Sequence, residues 1–345
     1  MIKSKKLFAV AVSLLMGVTI IGGCGTNKAN SNSTVGETNK AGETNEASEA
    51  STAKKKIAVI VKGTEHPYWQ TVKKGAEAAS EEFDVDMYFT GPAGGEADIN
   101  GQVNLVETAI NEKVDGIVLA SCDENALVPI TEKAADAGIP IVLIDSNTAT
   151  DKYISYATTN NEQAAYEVGK KLGELTGGKG KVAIVSFTPG AGSAIAREGG
   201  FKKALEELYP DMEIVTTEYC DSDKVKALSI TQNILTSTPD LTAIYATNEP
   251  SVVGVGRALK EKNNKDIIMV GFDSSDDIIP LLEEGYVKAT AVQRPYQMGY
   301  LGVQAIADHY NGKAVEKNVD TGALIVTPEN METKESQEVL YPLGK

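Results

Sequence analysis

The sequence predicts an α/β fold of two similar doubly wound parallel-sheet lobes joined by three crossover segments. Three observations carry this. Near-continuous apolar runs recur along the chain, as strands buried on both faces do: 57–61, 116–120, 141–144, 182–185, 243–246 and 267–270. Between them lie amphipathic helical patterns, the alternation that builds a parallel sheet with helices on both sides. The strand–helix pattern also restarts at Lys181 with KVAIVSF, EIVTTEY, TAIYATN and IIMVGFD. One sheet holding every strand would be unusually wide, so two sheets is the simpler solution.

The first segment stands apart from these repeats. Lys3, Lys5 and Lys6 precede an apolar run, 7–21, that is shorter than a spanning helix requires. Small residues Gly22 and Gly23 follow, as in a secretory signal. The run Ile21-Gly22-Gly23-Cys24 resembles the bacterial lipobox, which predicts cleavage after residue 23 and lipidation of Cys24. A diacylated cysteine supplies the more-than-one-chain anchoring that stable membrane attachment needs. The stretch 25–53 has no aromatic residue and only Val35 as a large aliphatic, and it repeats GETN at 36–39 and 42–45. Such a composition cannot bury enough surface to offset its ordering entropy, so residues 24–54 are expected to form a lipidated, disordered tether.

In the body, Trp69, Val72, Ala76, Ala79 and Phe83 recur at three- and four-residue steps, one stripe facing a sheet. Leu105, Ala109, Leu127, Ile130 and Ala134 belong to similar stripes. Further helices are expected over 162–175, 194–208, 224–235, 251–260 and 296–310, and a short extended piece over 153–157. The segments 158–161, 292–295 and 320–322 look like crossings between lobes. The expected N-terminal lobe is therefore 55–158 plus 293–320, and the C-terminal lobe 159–292 plus 321–345.

Composition narrows the function. The net charge is −15, and removing the signal, which carries three lysines and no acid, makes it −18. That disfavours nucleic acid, whose affinity comes mainly from Lys and Arg contacts to phosphate. With only two histidines, His66 and His309, a His-rich metal site is excluded, and only His66 lies near strand ends for a Ser-His-Asp triad. Cys122 and Cys220 lack metal-type spacing and fall in opposite halves, where a disulfide would lock the halves together; free thiols are expected. Gly190-Ala191-Gly192 follows a strand but lacks the third glycine of G-x-G-x-x-G and the Gly-Lys-Ser/Thr of a P-loop, so it is read as a flexible loop leading to Arg197. No cofactor is expected.

Ligands of open α/β sheets bind at the carboxyl ends of the strands. There the chain places Lys62, with His66, Tyr68 and Trp69 just beyond; Ser121 and Asp123; Asp145, Ser146 and Asn147; Thr188; Asp221 and Asp223; Asn248 and Glu249; Asp273; and Gln293 and Arg294. Singly, each Asp, Asn or Ser has an ordinary use as a helix cap, above all Asp123, Asp221 and Asp223. Trp69 also serves the core stripe, but adjacent Tyr68 cannot share its face. Together the set suits a polyol. Carboxylates accept from hydroxyls, Arg, Lys, Asn and Gln donate to hydroxyl and ring oxygens, and aromatic rings cover C–H faces. No convincing nucleophile–base pair stands among them, so an enzyme, such as a hydrolase using Asp145 and Asp273, is disfavoured.

These motifs resemble a family. IAVIVKGTEHPYW is similar to the opening strand and N-x-P-F-F loop of type I solute-binding proteins of ABC sugar importers, closest to the ribose-binding branch. GIPIVLIDS, AREGGFKKAL, IYATNEPSVVGVGRAL, IIMVGFDSSDD and ATAVQRPYQMG resemble its further motifs, collinear from Lys56 to about Pro328. The resemblance implies a periplasmic-binding-protein-like type I fold that closes on a sugar by hinge motion. It implies ligand contacts at Tyr68, Trp69, Asp145, Arg197, Asn248, Asp273 and Gln293, and docking on an ABC permease. Lys62, His66, Ser146 and Ser222 depart from the ribose pattern; Lys62 and His66 are where ligand choice is expected to lie, and Ser146 and Asn147 are expected to contact the ligand. Lys62 with the Asp145–Thr148 run is also similar to the autoinducer-2 receptor branch, which Arg197, Asn248 and Asp273 do not fit well. The related LacI-type repressors carry a helix-turn-helix where this chain has its signal and tether. The expectation is a monomeric lipoprotein on the outer face of a bacterial cytoplasmic membrane, binding a monosaccharide or polyol for import. The alternative is the same pocket serving a chemoreceptor or histidine kinase.

Overall fold

A computed structural model describes residues 54–344. The signal, Cys24 and nearly all of the expected tether lie outside the described residues. Among the described residues no helix is long and apolar enough to cross a membrane.

The first sheet contains β1 (Lys56–Ile60), β2 (Asp86–Thr90), β3 (Gly116–Leu119), β4 (Ile141–Ile144), β5 (Ser155–Thr158) and β11 (Asn318–Asp320). The second contains β6 (Lys179–Ser186), β7 (Asp211–Tyr219), β8 (Leu241–Ala246), β9 (Ile268–Phe272), β10 (Val287–Gln293) and β12 (Ala323–Val326). Their spatial orders are β2-β1-β3-β4-β5-β11 and β7-β6-β8-β9-β10-β12, the same order twice. Every pairing is parallel except β10 with β12. In each sheet the order reverses direction beside the first strand, which creates a crevice at the strand carboxyl ends. β3 and β4 are buried at every position, as two-sided packing requires.

The helices follow the sequence stripes. They are α1 (Pro67–Glu82), α2 (Ile99–Asn111), α3 (Val128–Asp136), α4 (Asn161–Thr176), α5 (Gly192–Leu208), α6 (Lys224–Ser237), α7 (Glu249–Glu261), α8 (Ile279–Glu283), α9 (Pro295–Tyr310) and α10 (Lys334–Leu340). The chain leaves the first sheet after β5, and α4 then packs on α5 in the second lobe. It leaves the second sheet after β10, and α9 packs on α1 in the first. It passes once more between β11 and β12.

Glycines set both of these helix contacts. A Cβ on Gly75 would stand 1.9 Å from the Tyr296 carbonyl oxygen, and one on Gly299 would stand 1.9 Å from that of Val72. At the α4–α5 contact a Cβ on Gly200 would come within 2.0 Å of the Glu162 oxygen. Hydrophobic cores cover both faces of each sheet.

Cys122 and Cys220 are free and buried. Burial pushes the Cys220 thiol up to about 12, partly opposed by amide hydrogen bonds from Ser222 and Asp223. Strands β2, β11 and β12 and helices α8 and α10 were not foreseen. β2 is an edge strand with no fully buried residue, and β11 and β12 have three and four residues. None of the three offers the buried run that marks the inner strands.

Candidate functional site

The carboxyl ends of the two sheets face each other, and most of the strand-end residues converge there. Lys62, His66, Tyr68, Trp69, Glu96 and Asp145 come from the first lobe. Phe187, Ser193, Arg197, Asn248, Glu249, Pro250 and Asp273 come from the second, with Gln293 at the crossover. The space they enclose is about 20 Å³, close to the room for one water, whereas small-molecule pockets run to about 300–1,000 Å³. In this arrangement the lobes are apposed, with Ser222 Oγ bonded to Glu96 and Lys62 Nζ to Ser193 from one lobe to the other.

Lys62 is the hub. Its Nζ stands 2.7 Å from Asp145 Oδ2 and donates to Ser146 Oγ at 3.0 Å and to Ser193 Oγ, across the cleft, at 3.2 Å. Both partners of the ion pair are buried, with side chains 3% and 4% exposed. The ammonium also lies 5.6 Å from the Trp69 ring and 5.4 Å from Phe187, an attraction that grows when the cation is desolvated.

The aromatic pair divides its labour. Pro67 starts α1 so that Tyr68 and Trp69 fall on adjacent helical positions, edge to face at 5.0 Å. Tyr68 Oη donates to Asp145 Oδ1 at 2.8 Å. Burial first, then the Asp145 and Asp273 charges, hold that phenol well above its usual range. Trp69 belongs to the core stripe and also donates from Nε1 to Glu96 Oε1 at 2.9 Å.

On the facing wall Arg197 is 2% exposed. Its Nε donates to Asn161 Oδ1 at 2.8 Å and its Nη1 to the Thr247 carbonyl at 2.7 Å, while its Cζ lies 4.2 Å from the Phe272 ring. The guanidinium is thereby held by protein groups of its own lobe. Asp273 accepts from Gln293 Nε2 at 2.7 Å and from the Glu249 amide at 3.0 Å. Burial is the largest influence on its carboxyl and, with the Asp145 charge, outweighs Arg197, Gln293 and the amide, so it rises to about 6. Asn248 does double duty. Its Oδ1 caps α7 by accepting from the Ser251 amide at 3.1 Å, and its Nδ2 donates to Ser222 Oγ at 2.9 Å.

Two expected residues sit differently from the rest. Ser146 is fully buried but acts through Lys62 and Ser193, its Oγ lying 2.7 Å from Ser193 Oγ. Asn147 does not line the cavity; its Oδ1 faces Gly192 across the lobes, 2.0 Å from where a Cβ would stand. The capping alternative holds for Asp223, which accepts from the Val225 and Lys226 amides. Asp123 closes the turn before α3 by accepting from the Asn125 and Ala126 amides, and Asp221 pairs with Lys226.

Sequence reasoning missed Glu96, Phe187 and Ser193 as wall residues, and it placed Glu249 at a strand end without counting it among the ligand contacts. Glu96 lies on a short 3-10 turn, 95–97, in a glycine-rich loop whose composition reads as solvated. It is nevertheless 6% exposed, because Ser222 Oγ donates to its Oε2 at 2.7 Å from the other lobe. Phe187 had a usable signal, since it directly follows β6. Glu249 is 1% exposed, paired with Lys224 at 2.9 Å and 3.9 Å from His66 Nδ1.

A larger groove of about 460 Å³ adjoins the cavity and shares Tyr68, Asp273 and Gln293. Its lining holds no Lys, Arg or His, so the convergent polar groups of a selective site belong to the smaller cavity. Among the described residues no group of three or more His, Cys, Asp or Glu is placed to hold a metal.

Comparison with known proteins agrees with this architecture. The periplasmic binding protein domain model matches residues 57–314. The chain is 28% identical to the ribose import binding protein of Bacillus subtilis over 76% of this chain and 84% of that one. It is 31% identical to the D-apiose import binding protein of Actinobacillus succinogenes over 69% and 76%. Among solved structures, an ABC transporter solute-binding protein from Agrobacterium vitis with bound D-fucose is 39% identical, with a TM-score of 0.81 over 83% of this chain and all of that one. One from Agrobacterium radiobacter with D-arabinose is 32% identical, with a TM-score of 0.81 over 84% of this chain and all of that one. The chain belongs to the periplasmic binding protein domain family, in its type I, ribose-binding branch.

Proposed function

We propose that this protein captures a monosaccharide or closely related polyol between its lobes and hands it to the permease of an ABC importer, without chemistry on the ligand. One observation carries the reading. Glu249 Oε2 and Gln293 Oε1 line the cavity, are buried and have no hydrogen-bond partner. Both are acceptors, and a buried acceptor left unmade costs about 1–3 kcal/mol. The ligand that relieves them must be rich in donors, as a polyol is. The Tyr68 and Trp69 rings supply the apolar wall for sugar C–H faces. The relatives are named for ribose and D-apiose and the solved neighbours hold D-fucose and D-arabinose, which supports the same ligand class here.

The wider reading is a monomer anchored through Cys24 on the outer face of the cytoplasmic membrane, with Lys62 and His66 setting ligand choice. Support for the anchor is the lysine-rich apolar start and Ile21-Gly22-Gly23-Cys24. Mass spectrometry of the membrane fraction tests it; an unmodified Cys24 or an intact residue 1–23 segment overturns it.

A ligand that binds only the native state stabilises it by about 2.7 kcal/mol at a hundredfold excess over Kd. A thermal-shift panel of pentoses, hexoses, polyols and autoinducer-2 is expected to raise the melting temperature with at least one monosaccharide. No shift with any sugar or polyol overturns the reading.

A further inference from the structure

We propose that the ligand carries one ammonium group, making it an amino sugar, with the ammonium seated between the carboxylates of Glu96 and Glu249. This rests on the sugar-binding reading and sharpens it. The charges at the cavity and in the ion pairs that touch it do not balance. The cavity and the ion pairs that touch it contain five carboxylates: Glu96, Asp145, Glu249, Asp273 and Asp277. Against them stand four permanent cations, Lys62, Arg197, Lys224 and Arg257. The permanent charges leave one carboxylate without a permanent cation, and an isolated buried charge is costly unless a ligand pairs with it; the nearest further nitrogen is His66 Nδ1, 3.9 Å from Glu249 Oε2.

The excess can be located. Lys62 is committed to Asp145, and Lys224 is shared between Glu249 Oε1 at 2.9 Å and Asp277 Oδ2 at 3.1 Å, the latter also held by Arg257. Arg197 lies over Phe272 and influences Asp273. Glu96 has no ion pair among the described residues. Its two oxygens accept only from Trp69 Nε1 and Ser222 Oγ, which leaves lone pairs on both. Ser222 in turn accepts from Asn248, the residue before Glu249, so the two carboxylates bound one continuous wall. Glu249 adds its buried Oε2, which accepts no hydrogen bond and has His66 Nδ1 at 3.9 Å, to that wall. A hydroxyl donates one hydrogen there, whereas an ammonium donates three and neutralises the excess. Charge-assisted bonds of this kind are roughly twice as strong as neutral ones. A carboxylated or phosphorylated sugar would worsen the balance.

The test is calorimetric titration with D-glucosamine, D-galactosamine and D-mannosamine against D-glucose, D-galactose and D-mannose, with N-acetyl-D-glucosamine as the uncharged amide control. One amino sugar is expected to bind at least about tenfold tighter than its parent, with the amide losing that gain. Glu249→Gln and, independently, Glu96→Gln are expected to shrink the preference, with folding verified by circular dichroism. Equal or tighter binding of the neutral parents overturns the proposal while leaving the sugar reading intact. An amino-sugar preference that survives in both folded variants overturns the seat. Binding of neither class removes the proposal and the sugar reading together.

Discussion

Asp145 and Asp273 occupy the same position in the two lobes. Each ends the fourth strand of its sheet in the left-handed region, with φ of 59° and 72°. The Asp145 amide donates to the Ala157 carbonyl and its own carbonyl accepts from Thr158 Oγ1 at 2.8 Å. The Asp273 amide donates to Ala291 and its carbonyl accepts from Thr290 Oγ1, also at 2.8 Å. Both carboxylates are thus delivered to the cleft by one backbone device used twice. The left-handed region costs most L-residues about 1–2 kcal/mol but is tolerated by Asp and Asn. Asparagine is therefore the substitution that separates chemistry from backbone. Asp145→Asn and Asp273→Asn are expected to fold and to lose at least about tenfold in sugar affinity, an interaction worth about 1.4 kcal/mol or more. Titration calorimetry checks this; unchanged affinity in both would make them backbone devices alone.

The raised Asp273 carboxyl has a definite sign in the pH dependence of stability. Its folded value of about 6 lies above the ordinary 3.8, so the native state holds this proton where the unfolded chain has lost it. Stability contributed by this group is full below about pH 4 and declines as pH rises to about 6, with a total effect of about 3 kcal/mol. Ligand hydroxyls donating to the carboxylate would favour its charged form, so binding near pH 5.5 should release a proton. Melting temperatures of the wild type and Asp273→Asn from pH 4 to 7, plotted as a difference, should show this slope. A flat difference would mean that the carboxyl titrates normally.

Lys62 and Asp145 illustrate why a buried ion pair is not interchangeable with its parts. Removing one partner leaves the other charge buried and unpaired, which costs about 3–5 kcal/mol, whereas replacing both can be nearly neutral. Lys62→Met should therefore lower unfolding stability by about that amount, and Lys62→Met with Asp145→Asn should recover most of it. Urea denaturation of the four members of this cycle measures the coupling. Additive losses would contradict an ion pair that acts as a unit.

The lobes were legible in the sequence because their inner strands are buried on both sides and cannot be written any other way. Gly116–Leu119 and Ile141–Ile144 are apolar at every position. The strand-end residues were legible because a polar residue directly after such a run has nowhere to go but the crevice. Glu96 was not, since its burial depends on Ser222, 126 residues away. Nor was the use of Asn147, which depends on how closely the lobes meet. The Gly190-Ala191-Gly192 stretch could be denied a phosphate role from its missing partners, but its position in the cleft became visible only with both lobes in place.

That stretch supports the last prediction. The Glu124 amide donates to the Gly190 carbonyl at 2.9 Å across the cleft. A Cβ on Gly190 would stand 1.8 Å from Asp123 Oδ2, and Asp123 cannot readily swing away because its Oδ1 is held by the Asn125 and Ala126 amides. Gly190→Ala should therefore obstruct the meeting of the lobes while leaving each lobe's core untouched. Sugar affinity is expected to fall about tenfold or more with the ligand-free melting temperature little changed. Gly75→Ala is the contrasting variant. Its Cβ meets backbone, the Tyr296 carbonyl, within one lobe, so it should lower the melting temperature instead. Small-angle scattering adds the geometric readout, since Gly190→Ala should retain an extended form at sugar concentrations that compact the wild type. Wild-type affinity and compaction in Gly190→Ala would show that the glycine loop yields and that lobe contact there does not limit closure.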